Sequence, residues 1–326
     1  NVGLTNAMAG DDISAASAGG SFGDKNAGTQ TFTLTGLSLS GADRANYAVA
    51  NSLSGSTGHI DTKVLTLQAG SVSKVYDGST SYTTTQADLD TLSQQLLLGD
   101  FVTGAQLAFL DKNVSRALND SVLSDKAVAL NSVTLNDGNH GGNYSLSLQG
   151  NLTSTVTPKT LQATGAVADK VYDGTRQALL GDLSGAGVVS GDSVAFQAGS
   201  ALFSDKNVAR DGSGNVVDMS VTVSGLSMTG LDAGNYSLAS NTFTGSARIT
   251  PRLLSVVGTR VADKTQDGTT QAAVTMGNLL GLIGVETLLA APSASFDTPA
   301  TGSDKAVNVR YSLSDGTNGG LAGNHA

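Results

Sequence analysis

The chain has 326 residues, 14% of them charged, with a formal net charge of −9, 41 Gly, 4 Pro and neither Trp nor Cys. So few Lys and Arg disfavour a nucleic-acid partner, because cationic side chains must replace the counterions around phosphates. The lack of Cys excludes disulfides and thiolate metal sites. The acids are nearly all Asp, with Glu286 the lone Glu; Asp suits turns and Glu suits helices, so the composition is that of strands and turns.

In chain order, the alternating run Thr31-Phe32-Thr33-Leu34-Thr35 predicts a first strand. Asp61-Thr62-Lys63-Val64-Leu65 reads as a short extended linker. Within residues 86–98, Leu89, Leu92, Leu96 and Leu97 fall at helical spacing behind Thr84 and Thr85 as caps, which predicts a short helix. A second linker, Thr157-Pro158-Lys159-Thr160-Leu161, carries a Pro that pushes its predecessor towards extended backbone. Residues 193–196 and 220–224 alternate again, among the turn signals Ser190-Gly191-Asp192 and Ser213-Gly214-Asn215. A third linker, Thr250-Pro251-Arg252-Leu253-Leu254, precedes a last alternating run at 306–311. With no Gly/Ser-rich spacer, a semi-rigid array is expected.

Three landmarks recur in fixed order with a period of roughly 94 residues, the mark of tandem modules. The first is Lys74-Val75-Tyr76-Asp77-Gly78, Lys170-Val171-Tyr172-Asp173-Gly174 and Lys264-Thr265-Gln266-Asp267-Gly268. The second is Asp24-Lys25, Asp125-Lys126, Asp205-Lys206 and Asp304-Lys305, with Asp111-Lys112 as an extra copy. The third is Asn46-Tyr47, Asn143-Tyr144, Asn235-Tyr236 and Asn324-His325. Modules are therefore expected over 1–62, 63–158, 159–251 and 252–326. The first would be without its opening strands, the last without its closing ones. The expected fold is all-β: a tandem array of small antiparallel β-sandwiches, immunoglobulin-like, with a β-grasp-like module as the alternative.

The landmarks read as structure. Asp77-Gly78, Asp173-Gly174 and Asp267-Gly268 would supply the positive φ of a tight hairpin, with Tyr76 and Tyr172 packing on the core. Gln266 in place of the third Tyr argues against chemistry there. Asn46, Asn143 and Asn235 would bond an adjoining loop. Tyr47, Tyr144 and Tyr236 would bury their rings and bond their hydroxyls, as in a tyrosine corner. Calcium is the sharper possibility, with Asp211, Asn215 and Asp218 as candidate ligands and further oxygen-rich stretches at Gly10-Asp11-Asp12 and Asn136-Asp137-Gly138-Asn139. None has the fixed ligand positions and closing Glu of an EF-hand. Lys, Asn and Asp in each module are also the ingredients of a Lys–Asn isopeptide crosslink.

Catalytic patterns are poor. His59, His140 and His325 occupy unrelated loops, and neither a G-x-S-x-G elbow nor a phosphate loop occurs. A two-Asp polysaccharide hydrolase is a remote reading, since it needs one particular cleft with a raised carboxylate. No run is long enough for a membrane helix, and any export signal would lie outside these residues.

Taken together, the landmarks resemble the YDG-type repeats of very large secreted adhesins of Gram-negative bacteria, proteins that resemble filamentous haemagglutinin and are exported by two-partner secretion. The resemblance rests on Asp169-Lys170-Val171-Tyr172-Asp173-Gly174-Thr175, Phe203-Ser204-Asp205-Lys206-Asn207-Val208, Leu231-Asp232-Ala233-Gly234-Asn235-Tyr236-Ser237-Leu238 and Ile249-Thr250-Pro251. In the first module it rests on Phe22-Gly23-Asp24-Lys25-Asn26 and on residues 39–47. It implies an extracellular location, on the cell surface or secreted, and a structural part in adhesion, aggregation or biofilm formation, with no catalytic residues. The partners expected are exopolysaccharide, a host or neighbouring cell surface, or copies of the chain. The alternative is a carbohydrate- or receptor-binding module within such an adhesin.

Overall fold

The computed structural model describes residues 2–326. It is built of strands, with one α-helix, Gln86–Ser93, and three short 3-10 turns among the described residues. The chain divides into two compact units, Asn1–Lys159 and Thr160–Ala326.

In the first unit, Gly28–Thr35 runs antiparallel between Gly19–Phe22 and Ser52–Ile60. The alternating run at 31–35 lies inside this central strand. Ser14–Ala16 pairs with Ser38–Ser40 beside it. From Lys63 onward a longer pattern begins. Lys63–Gln68 lies parallel to Tyr144–Gln149 over six residue pairs. The chain then crosses over, and Ser73–Val75 lies parallel to Asn151–Thr157, which is itself antiparallel to Lys126–Asn136. Phe101–Phe109 completes that four-stranded sheet. Parallel partners need a long crossover, and here the crossover is nearly the whole module. The opening segment is thus stapled to the last strands in both sheets.

The second unit repeats this plan. Lys159–Ala168 pairs antiparallel with Leu179–Ala186 and lies beside Tyr236–Leu238. Lys170–Val171 lies parallel to Ile249–Thr250, and Met219–Ser224 sits between Ser200–Phe203 and Thr242–Ala247. In Met219–Ser224, Met219, Val221 and Val223 point inward while Ser220 and Thr222 face out, as the alternation predicts. One core joins both sheets: Ala163, Val167, Leu180 and Leu238 from one, Phe203, Val221, Val223, Ala247 and Ile249 from the other, with the Tyr172 ring among them. Each fully buried Val, Ile or Phe contributes roughly 1.5–3 kcal/mol. The strand predicted at 193–196 is shifted to Ala195–Gln197, and the run at 306–311 belongs to Val307–Asp315.

The helix forms where predicted but stops at Ser93 rather than Leu98. Thr85 is the N-cap and closes a capping box with Asp88, satisfying two of the first orphan N–H groups. Thr84 instead donates its hydroxyl to Ala105 O, 2.8 Å away. Leu92 is buried, whereas Leu97 and Leu98 are exposed. The helix stands where the next module has the strand Leu179–Ala186, so Lys63–Gln68 lacks that β partner. The Gln95 side chain takes over part of the role, accepting from Gln68 N at 3.0 Å and donating to Gln68 O at 2.8 Å.

Candidate functional site: the joints between modules

The three Asp-Gly landmark segments, two with a Tyr before the Asp and the third with Gln266, fold alike. Asp77, Asp173 and Asp267 each accept the N–H of the residue two places on, at 2.9 Å, through Oδ1. That residue is Ser79, Thr175 or Thr269, and its hydroxyl donates to the same oxygen. Gly78, Gly174 and Gly268 sit at φ +80°, +77° and +80°, where a Cβ would be strained. The preceding Lys closes the loop: Nζ of Lys74, Lys170 and Lys264 lies 2.7, 2.7 and 2.8 Å from the Asp Oδ1. It also donates to the carbonyls of Ser79, Thr175 and Thr269. Lys74 and Lys170 further lie over the rings of Phe109 and Phe203.

Burial alone would raise the Asp77 and Asp173 carboxyls, but the Lys and Ser or Thr donors outweigh it and hold both below the usual carboxylate range. For the exposed Asp267, the Lys264 bond leads and the carboxyl is again held low. The Tyr76 and Tyr172 rings are buried. The turn is not a hairpin, however. Its two arms do not pair with each other: Lys170–Val171 pairs with Ile249–Thr250, and Gln177 bridges to Leu202. The Asp-Gly pair therefore carries the chain from the closing strand to the far edge of the same sheet.

The Asn-Tyr landmarks build two further features. Tyr47, Tyr144 and Tyr236 each donate to an Asp Oδ2 at 2.6 Å: Asp11, Asp100 and Asp192. Each hydroxyl also accepts a backbone N–H three residues before that Asp, from Met8, Leu97 and Val189. Gly10, Gly99 and Gly191 supply the positive φ just before the Asp. This Gly-Asp pair, 36 residues before its Tyr in the first module and 44 in the next two, is a fourth landmark that the sequence reading missed. Burial and then the Asp192 bond push the Tyr236 hydroxyl up to about 12, and burial followed by Asp100 raises Tyr144.

In the fourth module the pair is replaced as a pair. His325 stands at the Tyr position and Glu286 at the Asp position, with Glu286 N bonded to Ile283 O as Asp192 N is to Val189 O. Nε2 of the buried His325 lies 3.3 Å from Glu286 Oε2. Tyr172, from the turn of the third module, donates to Glu286 Oε1 and meets the His325 ring edge-on, 5.3 Å between centroids. Burial and Glu286 push Tyr172 up to about 12.

The Asn side chains reach the preceding module. Asn143 Oδ1 accepts Ala27 N at 2.8 Å, and its Nδ2 donates to Asn26 Oδ1 at 3.0 Å. Asn324 repeats this: Oδ1 accepts Val208 N at 2.9 Å, and Nδ2 donates to Asn207 Oδ1 at 2.8 Å. Both pairs are 117 residues apart. The receiving loop is set by an Asp: Asn26 N bonds Asp24 Oδ1 and Asn207 N bonds Asp205 Oδ1, both at 3.0 Å. Asn113 N bonds Asp111 Oδ1 likewise at 3.0 Å. Asp111-Lys112-Asn113, taken from sequence as the extra copy, is thus the second module's true counterpart. Asp125-Lys126 is another feature: Lys126 is buried and pairs with Asp111 at 2.5 Å.

Asn235 is buried at the end of the 3-10 turn Ala233–Asn235, and Asn46 ends the turn Arg44–Asn46 in an exposed position. The calcium candidates go separate ways. Asp211 accepts from Ser213 N, Asn215 N and Asn215 Nδ2, while Asp218 pairs with Arg248 at 2.5 Å. Among the described residues no three His or acidic side chains converge as a metal site would need. The three Lys ammoniums of the Asp-Gly turns contact carboxylates, hydroxyls and carbonyls rather than Asn amides. No helix among the described residues is long and apolar enough to cross a membrane.

No curated protein matches the chain. A family model does: the YDG domain matches residues 1–55, 61–151, 157–243 and 250–326. With nearly its whole length covered in four successive matches, the chain belongs to the YDG domain family.

Proposed function

We propose that the chain is the stalk, or repeat region, of a secreted bacterial surface adhesin, and that it takes part in cell adhesion, aggregation or biofilm formation as a structural element. The observation that carries this reading is the joint: Asn143 on Asn26 and Ala27, and Asn324 on Asn207 and Val208, link neighbouring modules by the same two bonds. The signals that first resemble sites hold turns, anchor rings or join modules. Each module is read as a small immunoglobulin-like sandwich, the location as extracellular, and the chain as non-enzymatic. Its partners would be exopolysaccharide, a neighbouring or host cell surface, or copies of itself.

A second reading, a carbohydrate- or receptor-binding module, is favoured by one observation. The helix-bearing second module exposes Leu97, Leu98 and Phe101 close together in sequence, more apolar side chain than a bare spacer needs. The purified chain, tested on arrayed glycans and on polysaccharide hydrolysis, separates these. A stalk gives no glycan binding that one side chain of the second module controls, and no turnover. Saturable binding lost in a Leu98→Ser variant would establish the second reading, and turnover lost with a single Asp→Asn change would overturn both.

A further inference from the structure

The backbone N–H of a Gly can approach the side-chain carbonyl of the residue before it, because no Cβ stands in the way. The chain has one Asn-Gly pair, Asn318-Gly319. It lies in the loop after Val307–Asp315, in a turn closed by Gly320 N on Thr317 O at 3.1 Å. Asn318 is exposed and sits at φ +54°, with Gly319 at +86°. The side-chain amide is steadied by one bond, Nδ2 to Val285 O at 3.2 Å. Gly319 N donates to no acceptor among the described residues.

The Asp-Gly pairs are built otherwise. Asp77, Asp173 and Asp267 are carboxylates paired with Lys, and an ionised carboxylate resists attack. Asp137 is buried and accepts the N–H groups of Asn139, Gly141 and Asn143. Asp211 accepts Ser213 N and Asn215 N, and Gly316 N, after Asp315, is engaged with Gly320 O at 2.9 Å. The second module repeats the Asn318 turn with a different side chain. His140 at φ +53° and Gly141 at +85° stand at its two central positions, and Gly142 N closes it on Asn139 O at 2.8 Å. The turn therefore does not require Asn. A charge also stands beside the pair: a Cβ on Gly319 would lie 3.7 Å from Nζ of Lys206. Lys206 belongs to the third module's loop that receives Asn324.

We propose that Asn318 is a self-modification site, assisted by Lys206. Gly319 N forms a bond to Asn318 Cγ, the Cγ–Nδ2 bond breaks, and ammonia leaves with the Gly319 proton. Water then opens the cyclic imide and leaves aspartate or isoaspartate at position 318. Negative charge develops on the attacking nitrogen and on the Cγ oxygen, and the Lys206 ammonium beside them stabilises it. The product adds a negative charge next to Lys206, at the joint between the third and fourth modules.

The test holds the intact chain in mildly alkaline buffer and follows it by peptide mapping. Conversion is expected at Asn318 ahead of every other Asn, as a pair of aspartate and isoaspartate products. Asn318→His, which copies the second module's turn, should keep the circular dichroism spectrum and abolish the acidic product. Lys206→Gln should slow conversion about fivefold, the effect of one charge at contact range in a solvated setting. Conversion in urea but not in the folded chain, equal conversion at other Asn residues, or an unchanged rate in Lys206→Gln would overturn the proposal.

Discussion

A buried tyrosine hydroxyl has one proton to give and lone pairs to fill, and Tyr236 meets both needs, with Asp192 as acceptor and Val189 N–H as donor. Tyr236→Phe leaves both partners without that bond, so it should lower stability by about 1–3 kcal/mol, read as a lower urea midpoint with an unchanged slope. The pH dependence follows from the same contacts. The Tyr236 hydroxyl ionises at about 12 in the folded chain, against 10.0 ordinarily, so the neutral form favours folding. Its contribution is complete below pH 10 and is lost as the pH rises through about 12. Asp77 and Asp173 work in the opposite direction: held below 3.8 in the folded chain, they contribute fully above that value. That contribution fades as the pH falls through their lowered values. Thermal unfolding across pH should show both flanks, and Tyr236→Phe should shrink the alkaline one only.

At the scale of the element, the helix offers a contained test. Thr85→Ala removes the capping side chain and should cost about 1 kcal/mol, measured by denaturation of the second module's transition; no loss would mean the capping box is idle. The helix was legible because Leu89 and Leu92 fall on one face behind a capping Thr. Its end was not, since Leu96 and Leu97 continue the spacing although the chain has left the helix at Ser93 and Leu97 is exposed. The strand at Met219–Ser224 was legible from simple alternation, which burial on one face imposes. The Asp-Gly turns were legible as positive-φ sites, but not as bends between non-adjacent strands. A local pattern fixes the conformation of a residue and leaves open which strand its neighbours join. The Gly-Asp landmark escaped because its partner Tyr lies dozens of residues away, and the pair is recognisable only when both ends are seen together.

At the scale of the whole molecule, each of the two compact units holds its pair of modules together by one Asn joint. Asn143 was assigned to an adjoining loop, and that loop proves to belong to the preceding module, 117 residues back in sequence; Asn324, to which no role was assigned, reaches a loop at the same separation. Sequence spacing could not pair them, because Asp111-Lys112 and Asp125-Lys126 offered two registers for one landmark. The departures of the fourth module make sense together. Glu286 and His325 replace an Asp–Tyr pair and bring the Tyr172 hydroxyl of the preceding module into the bond.

The central claim is that neighbouring modules stabilise one another through the Asn clamp, and a double-mutant cycle on Asn207→Ala and Asn324→Ala in the intact chain measures it directly. Residues in contact couple by roughly 0.5–3 kcal/mol. We expect chemical denaturation to give a coupling of about 1 kcal/mol between the two substitutions. Losses that simply add, to within about 0.3 kcal/mol, would contradict the account.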